Sequence, residues 1–158
     1  SVSACATKRL PRDEQMTDGR RLRTEFPAFR TITTRWEDED VYGHVNNVVY
    51  YSFFDTAVNG YLIDATGTDI RQLGAVGLVA ETQCEFKREL GFPHDVQAGL
   101  AVTKLGTSSI VYRIGLFQGA TDEPAAIGRF VHVYVDATSR EVTPIPQSIR
   151  DAVEPLVQ

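Results

Sequence analysis

Apolar positions along this chain follow two different periods, and the change of period divides it. From Phe29 to Trp36 the residues alternate loosely and include the run Thr31, Ile32, Thr33, Thr34, which predicts a first strand. Asn47 to about Ala65 carries a helical repeat instead. On a wheel of about 100° per residue, Ser52, Asp55, Thr56 and Asn59 form one narrow polar stripe. Val48, Val49, Tyr50, Tyr51, Phe53, Phe54, Ala57, Val58, Tyr61 and Leu62 fill most of the rest. A helix apolar over most of its circumference is expected to be largely enclosed. Asn46 suits the N-cap and Gly67 the stop.

The second half returns to the period of a sheet. Gly77 to Glu89 alternates, with Leu78, Ala80, Thr82, Cys84 and Phe86 on one face. A turn at Gly91-Phe92-Pro93 leads to Val96, Ala98, Leu100 and Val102. After Gly106-Thr107-Ser108 come Ile110, Tyr112, Ile114 and Leu116; after the loop Gln118 to Asp122 come Ile127, Val131, Val133 and Val135. Pro144 and Pro146 end the sheet, and Ile149 to Leu156 reads as a short terminal helix. Closely spaced, turn-linked strands pair antiparallel. The order implies an α+β fold: a curved five-stranded antiparallel sheet wrapped around one long central helix, because each needs the other to cover its apolar surface.

Residues 1–26 are polar and aperiodic and read as an arm, with one domain over 27–158. Met16 is the only methionine, and translation is expected to start there, with the residues before it not native. The net charge of −5 argues against nucleic acid as a partner. No apolar run approaches the roughly 20 residues of a membrane span. Cys5 and Cys84 make neither a disulfide framework nor a metal spacing, so a cytoplasmic location is the simplest expectation.

Chemistry concentrates between Arg35 and Asp55, RWEDEDVYGHVNNVVYYSFFD. Asp40 stands two residues before a Gly-His turn and close to the expected helix start, where a carboxylate can act as nucleophile or general base. Glu37, Asp38 and Glu39 read as solvated loop charges. The first N–H groups of a helix have no partner within it. Those of Asn47 and Val48 are therefore expected to stabilise an anion such as a developing oxyanion. His44 is either a group that touches substrate or a structural turn residue, and Asn46 caps the helix beside the site. His132, between apolar neighbours, reads as a sheet residue with its hydrogen bonds satisfied. No two histidines have helical ligand spacing, so no metal is expected.

Trp36 to Asp55, with Asp40, Gly43-His44-Val45-Asn46-Asn47, Tyr50 and Phe53-Phe54-Asp55, resembles the opening motif of hotdog-fold acyl-CoA thioesterases. The resemblance is to the 4-hydroxybenzoyl-CoA thioesterase-like branch. Cys84 to Leu90 and Leu105 to Ser109 are similar to that branch as well. The resemblance implies hydrolysis of an acyl-CoA, Asp40 as the catalytic carboxylate and the Asn47 N–H polarising the thioester carbonyl. Asp55 remains the alternative carboxylate. The resemblance further implies Lys87, Arg88 and Ser108 as phosphate-holding candidates, and Asn46 and Tyr50 as substrate-facing residues. Phe54 and Tyr61 join Tyr50 as candidates for an acyl pocket. No cofactor is implied, coenzyme A being part of the substrate. The implied assembly is a homodimer joined edge to edge, pairing again into a homotetramer, with active sites at the dimer interface. Two other readings stay open: a hydratase or dehydratase of the same fold, and a non-catalytic acyl-CoA-binding protein.

Overall fold

The computed structural model describes residues 22–158. Most of the expected arm, with Cys5 and the expected start at Met16, therefore lies outside the described residues. The last residues of the arm are packed down. Arg23 donates to the carbonyl oxygens of Gly119 and Thr121 at 2.9 and 3.1 Å and lies over the Phe117 ring. Phe26 is buried in a slot left by Gly99 and Gly115, which face each other across two strands.

Five strands, β1 (Ala28–Ile32), β2 (Ala75–Phe86), β3 (Val96–Leu105), β4 (Ser109–Phe117) and β5 (Ala126–Asp136), form one antiparallel sheet in the order β1-β3-β4-β5-β2. The helix α1 (Asn47–Thr66) crosses it, and a short helix α2 (Gln147–Val153) packs beside α1. The first strand is shorter than its sequence suggests. Its last partner is Val96 at the start of β3, and beyond that the chain turns away through a 3-10 turn at Trp36–Asp38.

α1 begins and ends where its caps place it. The Asn46 side chain accepts from the Val48 N–H at 3.1 Å, and Gly67 closes the helix at φ 66°. Phe53, Phe54, Ala57, Val58 and Leu62 are buried in one core with Leu100, Tyr112, Ile114 and Phe130 of the sheet. Phe54 fits because position 128 is glycine: a Cβ there would stand 2.4 Å from its ring. The helix is not enclosed all round. Ser52, Asp55 and Thr56 are exposed, and so are Val48 and Ile63, because the sheet of a single chain covers only one side of it.

β2 is an edge strand with a register shift between Val79 and Glu81. That bulge corrects the simple alternation. Thr82, Cys84 and Phe86 stand opposite Phe130, Gly128 and Ala126 on the helix side, whereas Leu78 stands opposite Val133. One extra residue moves everything before it to the other face.

Candidate functional site

The acidic stretch before α1 is built, residue by residue, to place Asp40. Asp38 is not a loop charge: it is 1% exposed and accepts from the Arg35 backbone N–H at 2.8 Å and from its guanidinium at 2.9 Å. Its own carbonyl receives the Asn46 N–H at 2.8 Å, which ties the acidic run to the helix cap. Glu39 is not free either, since its carboxylate accepts the Phe92 N–H at 2.8 Å. Between these anchors the Asp40 N–H donates to the His44 carbonyl at 3.0 Å, and Gly43, at φ 78°, closes the turn back onto the Asp40 carbonyl. The Asp40 Oδ1 accepts the Tyr42 N–H at 2.9 Å, which holds the half-buried carboxylate in one orientation.

An open cleft of about 540 Å³ lies in front of that carboxylate. Asp40, Tyr42, His44 and Asn47 line it from the loop and helix start, and Phe86, Lys87, Arg88 and Glu89 from the end of β2. Tyr50 forms part of its wall, with its ring 4.9 Å from that of Phe86. The Tyr50 hydroxyl accepts the buried Leu90 N–H at 3.3 Å, and burial raises its pKa, so its main role is to pin the chain after β2.

The helix start offers one N–H rather than two. The Asn46 side chain already occupies the Val48 N–H, while the Asn47 N–H has no partner among the described residues. Asn46 itself is absent from the lining of the cleft, and capping is the role its contacts show. His44 Nε2 meets Glu89 Oε2 at 2.8 Å on the cleft wall. Lys87 pairs with Glu85 at 2.5 Å, and Arg88 donates to the Glu123 carbonyl.

Ser108 is not brought to this cleft. It sits at the β3–β4 turn, where its carbonyl accepts from Tyr134, at the opposite end of the sheet from Lys87 and Arg88. Asp55 lies on the open face of α1, with its pKa raised by partial burial. Phe54 is core, and Tyr61 donates to the Ala152 carbonyl at 2.6 Å, so neither lines the cleft. Cys84 is half-buried, and burial pushes its thiol up to about 12, which leaves it protonated at neutral pH. Tyr42, Phe86 and Glu89 are cleft residues that the linear pattern did not single out. Of the three, only Glu89 carried a signal, as a charge beside Lys87-Arg88.

The sequence pattern of the thioesterase-like superfamily matches residues 34–153, which include the whole cleft. The chain belongs to the thioesterase-like superfamily. The resemblance read from Trp36 to Asp55 thus extends over most of this superfamily member. Among solved structures, the chain is similar to the PA5185 protein of Pseudomonas aeruginosa strain PAO1. The identity is 47%, the TM-score 0.83, and the match covers 87% of this chain and 96% of that one. It is similar to the PA2801 protein of Pseudomonas aeruginosa at 28% identity and a TM-score of 0.74, over 81% and 98% of the two chains. A thioesterase of Thermus thermophilus, complexed with coenzyme A and Zn, matches at 27% identity and a TM-score of 0.69, over 83% and 94%.

Proposed function

We propose that this protein is an acyl-CoA thioesterase, with Asp40 as nucleophile or as general base on water. The observation that carries this reading is the cleft itself, which gathers around one space a fixed carboxylate, a helix N–H with no partner among the described residues and two cationic side chains. The carbonyl oxygen of the thioester faces the Asn47 N–H, and the carboxylate or its activated water attacks the carbonyl carbon. The C–S bond breaks and the thiolate of coenzyme A leaves. One preorganised donor of this type is worth about 3 kcal/mol in the transition state. Lys87 and Arg88, at the cleft rim, attract the phosphates of the carrier. The coenzyme A held by the Thermus thermophilus relative supports that choice of carrier.

The assembly belongs to the same proposal. β2 is a 12-residue edge strand, and Leu78, Val79 and Phe86 on it are each more than two-fifths exposed. An open edge of this length and composition invites a second strand. Pairing two copies through β2 makes a dimer that also covers the open face of α1, and two such dimers pair into a tetramer. No helix among the described residues is long and apolar enough to cross a membrane. A cytoplasmic site of action is the simplest one for a coenzyme A ester substrate.

Thiol release from a panel of acyl-CoA esters tests the reading. Asp40→Asn is expected to stay folded and to lower turnover by roughly 10²-fold or more; unchanged turnover on the best ester removes Asp40 from the mechanism. One observation favours a second reading. The His44–Glu89 pair on the cleft wall is a histidine–carboxylate arrangement suited to hydration or dehydration of an acyl thioester. That reading predicts a changed acyl group with no free thiol.

A further inference from the structure

The one tryptophan of the chain, Trp36, stands on the surface with 78% of it exposed. Folded proteins bury most of the area of their tryptophans, so an open ring is the informative exception. Its mount is rigid. The ring meets that of Phe92 edge to face, with centroids 5.8 Å apart. The Phe92 N–H donates to the Glu39 carboxylate at 2.8 Å, and the Thr34 hydroxyl donates to the His94 carbonyl at 3.0 Å. Gln118 holds the same loop. Its side-chain amide donates to the Gly91 and His94 carbonyls at 2.8 and 2.9 Å and accepts the Gly91 N–H at 3.0 Å. An exposed aromatic ring on a fixed base can stack a second ring with little loss of conformational freedom.

Three features narrow what stacks there. The charges beside the ring are acids already engaged: Glu37 and Asp38 pair with Arg35 at 2.8 and 2.9 Å, and Glu39 holds the Phe92 N–H. Such surroundings suit a neutral ring and do not draw a phosphate. The ring also lies on a way out of the cleft. The segment that brings Lys87, Arg88 and Glu89 to the cleft wall runs on to Phe92. Four residues separate Arg88 from Phe92, a reach of at most about 14 Å. Finally, Trp36 follows β1 and Phe92 precedes β3, its neighbour in the sheet, whereas β2 is the opposite edge. Pairing two copies through β2 uses that far edge and leaves Trp36 uncovered.

We propose that Trp36 stacks the adenine ring of the coenzyme A carrier. The thioester then lies at Asp40 and Asn47, the phosphates pass Lys87 and Arg88, and the base ends on Trp36, braced by Phe92. Adenine is neutral at pH 7 and offers a π face, which is what an exposed indole takes. The inference rests on the thioesterase reading above. It adds a residue that recognises the carrier rather than the acyl group.

The full-length protein is assayed for thiol release on one acyl group carried either by coenzyme A or by pantetheine, which has no nucleotide. Trp36→Ala is expected to raise KM for the coenzyme A ester about tenfold with kcat unchanged. Both constants for the pantetheine ester are expected to stay as they are, and Trp36→Tyr is expected to keep most of the affinity. Because Trp36 is the sole tryptophan, its fluorescence reads the site directly. Coenzyme A and ADP are expected to quench it, and pantetheine is expected to leave it unchanged. An unchanged KM in Trp36→Ala, an equal loss on both esters, or emission that coenzyme A does not alter overturns the proposal while thiol release stands. Quenching by ADP with no effect of Trp36→Ala on the coenzyme A ester assigns the ring to a free nucleotide and overturns it too. Absence of thiol release from both esters overturns the thioesterase reading, and quenching by coenzyme A then decides on its own whether the carrier stacks on Trp36.

Discussion

At the scale of single residues, the four acids before α1 share a charge but not a task. Asp38 is buried and bonded on both oxygens, Glu39 clamps the Phe92 N–H, and Asp40 is left to face the cleft. Asp38→Ala removes hydrogen bonds to a charged group and is expected to cost about 2 kcal/mol. In a chain of this size that lowers Tm by about 4–8 °C, readable by thermal unfolding, and activity falls too because Asp40 loses its anchor. His132 makes a prediction in pH. Its folded pKa, about 4, lies below its unfolded value of 6.5. Between those values the unfolded chain binds more protons, so stability falls as pH drops through the window and is unaffected above it. Urea unfolding at pH 7 and pH 5 is expected to show a loss of about 2 kcal/mol that His132→Leu abolishes.

At the scale of elements, α1 carries both the core and the site, and its cap separates the two roles. Asn46 consumes the Val48 N–H and so leaves Asn47 as the donor facing the cleft. Asn46→Ala is expected to destabilise the protein by about 1 kcal/mol in chemical denaturation and to raise KM or lower kcat by loosening that donor. In the middle of the helix, Phe54 enters the gap over Gly128. Gly128→Ala is expected to cost about 1–3 kcal/mol by overpacking, with the fold retained. β2 shows how one bulge redirects a strand: Thr82, Cys84 and Phe86 keep the helix side, and Leu78 is turned outward. Alternation in the sequence cannot reveal this, because an inserted residue leaves the local pattern of residue types unchanged.

At the scale of the whole molecule, the exposed edge and the open helix face have one remedy. Full-length pairing of two β2 strands sets Ala80 opposite Glu81 and Glu85 opposite Val76, with no like charges directly opposed. Ala80→Glu places a carboxylate opposite Glu81 twice per dimer, and like charges directly opposite each other are destabilising. Because Ala80 is exposed in the single chain, folding is expected to be unaffected. Sedimentation is expected to show a shift toward monomer, with thiol release falling in parallel. A dimer that forms unchanged in Ala80→Glu rules out this register.

Lys87 and Arg88 reach the cleft as the family resemblance implied. The order of elements, the capped helix from Asn46 to Gly67 and the placing of Asp40, His44 and Asn47 about its start were legible in the residues. Each depends on local chemistry, namely hydrophobic period, capping and turn formation, which acts over a few residues and leaves a linear trace. The tertiary structure alone decided the rest. It buried Asp38, bulged β2, sent Ser108 to the far end of the sheet and left the His132 Nδ1 without a partner among the described residues. These outcomes follow from which strands lie side by side and which side chains compete for the same space. Such long-range contacts write no pattern into neighbouring positions.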